Sequence, residues 1–196
     1  MKQTFYIFLI FSIFVSFGFS QTAKKSKAKL TELQKLELKR EKFDPKRDPK
    51  LDLQNALSKA QKENKRIILD VGGEWCGWCK KMEYYLMKNS KLEKLRDKNY
   101  VWVRINMSEE NENKEFLSKY PQIQGYPHLF VLEKDGSLLH SQDTAELEDP
   151  DLPIIVPSNV KNKDVFLKKE YEKKKARSYD LQKFTEFLNK WMPQEK

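Results

Sequence analysis

The only two cysteines of this 196-residue chain, Cys76 and Cys79, stand three positions apart in the stretch DVGGEWCGWCKKME. The stabilisation a crosslink gives grows with the loop it closes, so bridging these two would restrain almost none of the unfolded chain. The same spacing at a helix start suits redox chemistry. Unpaired backbone N–H groups and the helix dipole there favour a thiolate at an exposed first cysteine, and the second lies one turn inward, within reach of it. Such a pair can attack a disulfide, hold it as a mixed disulfide and release it by internal exchange. Zinc is the competing use of C-x-x-C, but tetrahedral zinc takes four ligands. His128 and His140 are the only histidines in the chain. Twelve residues apart in an expected hairpin, they are not a usual ligand pair, so no metal is expected. Two inert thiols flanked by Trp75 and Trp78 are less expected still in an oxidising compartment.

The elements that must position this pair are legible from periodicity. LDLQNALSKAQKENKR repeats apolar residues at Leu53, Ala56, Leu57 and Ala60, the spacing of one helix face. It leads into IILDV, a continuous apolar run broken by Asp70, as expected of a buried strand. Helix signals resume from Cys76 to about Lys88 and from Leu92 to Asp97, and Tyr100 to Met107 alternates as a second interior strand. EENENKEFLSKY predicts a helix, and YPHLFVLEKDGSLLHSQ predicts a hairpin turning at Lys134-Asp135-Gly136. The C-terminal YDLQKFTEFLNKWM predicts a helix whose stripe is Leu181, Phe184, Phe187, Leu188 and Trp191. This order implies an α/β fold, a mixed sheet with helices on both faces.

Around this core lie extensions. Residues 1–20 hold one early cation, Lys2, then an apolar run ending in Gly18-Phe19-Ser20, which is the pattern of a cleaved secretory signal. The run is short for a membrane span. Residues 21–50 form a basic linker with a peripheral helix through Leu30, Leu33, Leu36 and Leu38, and residues 51–192 form the folded domain. Within the domain, residues 143–178 are a proline-punctuated excursion with a short helix expected around Val165 to Lys175, and 193–196 are a tail. The formal charge of +9 resides in the extensions: residues 24–50 carry eleven cations against five anions, and residues 161–177 carry eight against three. An exported chain rarely meets nucleic acid, so these are expected to be solvated charge runs.

At EWCGWCK the chain resembles the thioredoxin-like thiol-disulfide oxidoreductases, from about Leu51 to Met192 apart from the excursion. The run ALSKAQKENKRIILDVGGEWCGWCKKME is most similar to the exported branch that includes the soluble-facing domains of membrane electron-transfer reductases. The resemblance implies a thioredoxin-like three-layer fold and a redox-active Cys76–Cys79 disulfide with no other cofactor. Cys76 would attack and Cys79 would resolve. Asp70 would be the buried acid beneath them, and its raised pKa would suit a base that takes the Cys79 proton. Tyr126-Pro127 would be a cis-proline loop whose backbone pairs with an extended substrate. Trp75, Gly77 and Trp78 would complete the substrate surface. Lys80 and Glu83 are expected on a solvated helix face, and His140 on the hairpin surface. His128 either lies near the thiolate and lowers its pKa or is turned away by strand alternation.

Trp78 replaces the family's usual proline between the cysteines. Strong oxidants of this superfamily place a histidine between theirs. Gly77-Trp78 therefore favours an exported reductase, periplasmic or extracellular, acting as a monomer on disulfide-containing proteins. An electron-donating redox protein, which could be membrane-embedded, would recharge it. An oxidant or isomerase, and a non-catalytic binding module, are the alternatives.

Overall fold

The computed structural model describes residues 30–149, 161–165 and 179–194. The candidate signal and residues 150–160 and 166–178 of the excursion lie outside the described residues. Of the helix expected around Val165 to Lys175, residues 163–165 are helical and the rest falls outside.

Helix α1 (Glu32–Lys39) opens with a capping box between Thr31 and Gln34 and buries no residue. Helix α2 (Pro49–Glu63) is started by Asp48, whose side chain accepts from the Lys50 N–H, with Pro49 in its first turn. Asn64 in the left-handed region ends it. Strand β1 (Arg66–Gly72) follows, buried at every position after Arg66. Helices α3 (Gly77–Lys88) and α4 (Ser90–Asn99) then cross over to β2 (Tyr100–Asn106), which pairs with β1 in parallel. Strand β3 (His128–Leu132) pairs antiparallel on the other side of β1, and β4 (Leu138–Asp143) closes the edge, giving the order β2-β1-β3-β4. Gly136 turns the hairpin at φ 92°, a left-handed conformation that suits glycine. A short 3-10 turn (Thr144–Leu147) follows, and α6 (Leu181–Lys190), capped by Asp180, ends the described fold.

Alternation along β1 sorts the core into two layers. Ile67, Leu69 and Val71 pack with Ala56 and Ala60 of α2 and with Phe116 and Phe130. Ile68, on the opposite face, packs with Met82 and Leu86 of α3, Leu92 of α4, and Phe184 and Leu188 of α6. The expected mixed sheet between two helical layers is therefore present. A strand covered on both faces has no polar side to present, which explains the continuous apolar run of β1.

Three expectations change. The helix over 109–120 contracts to α5 (Lys114–Leu117). Asparagine side chains fold the backbone ahead of it into a tight turn: Asn106 Nδ2 donates to the Asn111 carbonyl (2.8 Å), and Asn113 Nδ2 donates to the Asn106 carbonyl (2.7 Å). Leu181 is 49% exposed, because the packed cluster on α6 ends at Phe184. His140 is not a free surface residue; its ring stacks on Trp191 at 4.5 Å, where the end of α6 covers the edge strand.

Phe184 is fully buried between Tyr85, Tyr179 and Phe187. Phe184→Ala is expected to cost about 3–5 kcal/mol in urea unfolding, the usual range for emptying such a site. A loss below about 1 kcal/mol would show that α6 does not close this layer.

Candidate functional site

The redox pair is built where β1 ends and α3 begins. Cys76 is the N-cap of α3: its Sγ accepts from the Cys79 N–H at 3.0 Å, so one of the free amides of the first turn points at sulfur. The Cys76 and Cys79 sulfurs are 2.06 Å apart, forming a disulfide. Gly72 makes room for it. A Cβ at Gly72 would lie 2.5 Å from Cys79 Sγ and 3.2 Å from Phe43 Cζ, so sulfur and ring occupy the space a side chain would take. Gly73 is constrained in the same way by the Trp75 indole, whose Nε1 donates to the Met107 carbonyl at 2.7 Å.

Cys76 was expected to be exposed, yet it retains only 4% exposure and Cys79 only 2%. Cys76 Sγ is bonded to the buried Cys79, and Phe43 and Tyr126 pack against the pair. On the outer side the site is open: a Cβ at Gly77 or Gly125 would have no neighbour within 4 Å.

Beneath the pair lies a buried ionic cluster. Asp70 accepts from Trp102 Nε1 at 3.0 Å and lies 3.6 Å from Arg104 Nη1, leaving its other oxygen without a hydrogen bond. Burial pushes its carboxyl above the ordinary range, with Arg104 and Trp102 pulling the other way. Glu83 is not on a solvated face, as was expected: it is 6% exposed and bonded to Arg104 Nη2. Burial raises its pKa too, against the attraction of Arg104. Glu83 points inward because it follows Cys79 by four residues, one turn along the same face of α3. Lys80, by contrast, is partly exposed, 3.8 Å from Glu74.

The rim carries the other anticipated residues. Trp75 is 58% exposed and meets Tyr126 edge-on at 5.7 Å. Trp78 is 39% exposed, with Lys81 Nζ 4.1 Å above its ring and Tyr179 against its edge. The Tyr126–Pro127 peptide is cis, and the Pro127 carbonyl accepts from Thr144 Oγ1 at 2.6 Å. His128 shares the face of β3 that carries Phe130, opposite to the α3 layer. It is buried, bonded through Nε2 to Ser141 Oγ at 2.8 Å, and burial lowers its pKa. Alternation thus turns His128 away from the cysteines.

Sequence reasoning missed Arg40, Phe43 and Arg104. Arg104 had a signal: a cation at an inward position of the YVWVRIN strand requires a buried anion, and Asp70 stands opposite it in register. Arg40 and Phe43 lie in the segment taken as a peripheral linker, and nothing in its lysine-rich composition marks them.

The family model described as thioredoxin-like matches residues 48–134. Among curated proteins, the chain is 30% identical over 94 residues to the thiol:disulfide interchange protein DsbD of Colwellia psychrerythraea, covering 47% of this chain and 15% of that protein. It is 39% identical over 56 residues to spermatogenesis-associated protein 20 of Mus musculus, covering 29% of this chain and 7% of that protein. The chain therefore spans about a seventh or less of these relatives. Among solved structures, a disulphide isomerase from Xylella fastidiosa Temecula1 superposes with a TM-score of 0.47 at 27% identity, covering 50% of this chain and 76% of that one. Residues 48–134 thus form a thioredoxin-like domain, and it carries its paired cysteines at the strand-to-helix turn as the Cys76–Cys79 disulfide.

Proposed function

We propose that the chain is an exported thiol-disulfide oxidoreductase that reduces protein disulfides and is recharged by a separate electron-donating redox protein. The observation that carries this is the Cys76–Cys79 pair at the N-terminus of α3, with the Cys79 amide directed at Cys76 Sγ.

In the reduced protein the Cys76 thiolate attacks a substrate disulfide. One substrate sulfur leaves as a thiolate, and the other joins Cys76 as a mixed disulfide. Cys79 then gives up its proton and attacks Cys76 Sγ, so the second substrate sulfur leaves and the protein is left in its disulfide state. Two electrons have passed to the substrate, and a donor dithiol returns them by the reverse exchange. Asp70, buried two residues before the glycine that cradles Cys79 Sγ, is the base for that proton. The exposed faces of Trp75 and Trp78 and the open side of Gly77 receive the substrate, and the Tyr126-Pro127 backbone pairs with its extended chain. The acting species is a monomer in a periplasmic or extracellular space.

Charge supports the reducing direction. No histidine stands between the cysteines, His128 faces the other layer, and Asp70 and Glu83 lie beneath the pair. Without a histidine beside the thiolate, the disulfide is of the less oxidising kind.

Three measurements test this. In the native compartment, Cys79→Ser protein should accumulate mixed disulfides through Cys76, and Cys76→Ser/Cys79→Ser protein should accumulate none. Failure of Cys79→Ser to trap where a control reductase does would remove the catalytic proposal. Equilibration with glutathione mixtures should give a potential well below about −180 mV; a value at or above it would make the protein an oxidant or isomerase. Asp70→Asn should slow release of the mixed disulfide by about 10²-fold near neutral pH. An ionised Asp70 accepts the proton, so the wild-type rate should fall as pH drops through its raised pKa, and Asp70→Asn should lose that limb. An unchanged pH profile would exclude Asp70 as the base.

A further inference from the structure

Residues 37–43 precede the thioredoxin-like match, yet they supply one wall of the redox site. Phe43, 3% exposed, packs with Cys76, Cys79 and Tyr126. It is held there by Glu74, whose Oε1 accepts from the Phe43 N–H at 3.0 Å. Glu74 in turn takes a two-pronged bond from Arg40, with Nη1 to Oε1 at 2.8 Å and Nη2 to Oε2 at 2.5 Å. The Arg40 side chain is wholly buried, and it also lies 3.2 Å from Glu37 and 3.9 Å from Glu83. A second tie runs from Arg104, whose Nε donates to the Glu41 carbonyl at 2.8 Å while its other nitrogens hold Glu83 and Asp70.

Helical side chains lean toward the N-terminus, so the Glu83 carboxylate reaches back toward Cys79. The charged groups packed around the pair and its ties are therefore Asp70, Glu37, Glu74 and Glu83 against Arg40 and Arg104, with Lys80 at the margin. Removing Arg40 leaves Glu37, Glu74 and Glu83 undercompensated. The field at the sulfurs then becomes more negative, which disfavours thiolate and makes the disulfide harder to reduce.

We propose that the 37–43 segment is a working part of the redox centre. Arg40 is a positioning residue that balances Glu74 and Glu83 beneath the cysteines, and Phe43 keeps water from Cys79. This rests on the thiol-disulfide exchange proposed above.

The test uses the full chain and its equilibrium constant against glutathione. Arg40→Met should shift the constant toward the reducing side by about tenfold, equivalent to about 30 mV, and Arg40→Lys should restore most of that shift. Glu74→Gln removes an anion and frees Arg40, so it should shift the constant the opposite way by about threefold. Opposite signs from two variants that both loosen the same tie are not what general destabilisation produces. Glu74 is partly exposed, so its variant carries the test if Arg40→Met does not fold. In a Cys76→Ser background, Phe43→Ala should speed alkylation of Cys79 by at least tenfold, with Phe43→Leu close to the parent. A wild-type couple that is reversible, with the Arg40 and Glu74 variants both unmoved, overturns the assignment of Arg40; unchanged Cys79 labelling in Phe43→Ala overturns that of Phe43. A wild-type protein with no reversible couple would instead overturn the exchange chemistry itself.

Discussion

The sulfur of Cys79 occupies the space where residue 72 would otherwise place its side chain, and most of the site follows from that packing. Only glycine at position 72 lets the helix that carries Cys79 approach the end of β1 so closely. Once α3 is seated there, Cys76 falls at its N-cap, the Cys79 amide points at Cys76 Sγ, and Glu83 is carried inward one turn further on. Phe43 fills what remains of the space, which commits the segment before α2 to the site as well.

The same packing forces charge into the interior. Asp70 and Glu83 both face the α3 layer, and two carboxylates there without a cation would be heavily penalised. Arg104, beside Asp70 in the parallel register of β1 and β2, is placed to meet both. A buried ion pair of this kind contributes little net stability, because desolvation offsets the attraction, whereas breaking it is costly. Its effect is to hold the two acids in place. Through the Glu41 carbonyl and the Arg40 pairs, the network also anchors the segment that precedes α2.

The two sides of the disulfide differ sharply. Inward it meets Phe43 and Gly72; outward lie the open flanks of Gly77 and Gly125, with the exposed indoles of Trp75 and Trp78 beside the cysteines in the chain. A cleft of about 760 Å³ lies beside it, floored by Phe43, Pro45, Trp75 and Met107 and edged by Glu109 and Glu110. This asymmetry suits an exchange reaction, in which a bulky disulfide approaches from one side and the resolving sulfur attacks from the other.

Sequence alone determined the parts that depend on local periodicity and residue chemistry. The alternation of β2 and the stripe of α6 each have a period that only one element satisfies, while the short apolar run of β1 and the turn residues at Gly136 mark a buried strand and a hairpin. The spacing of Cys76 and Cys79 selects exchange over crosslinking for the same local reason. Only the tertiary structure decided the rest. Whether Glu83 meets water or Arg104, whether His128 faces the cysteines, and whether Phe43 belongs to a linker or to the site depend on which surfaces meet across long sequence separations. Composition marks residues 21–50 as a basic extension, because lysines dominate the count. One phenylalanine and one arginine within it are buried because Gly72 and Glu74, about thirty residues away in the chain, leave a cavity and a carboxylate that only the folded backbone brings to them.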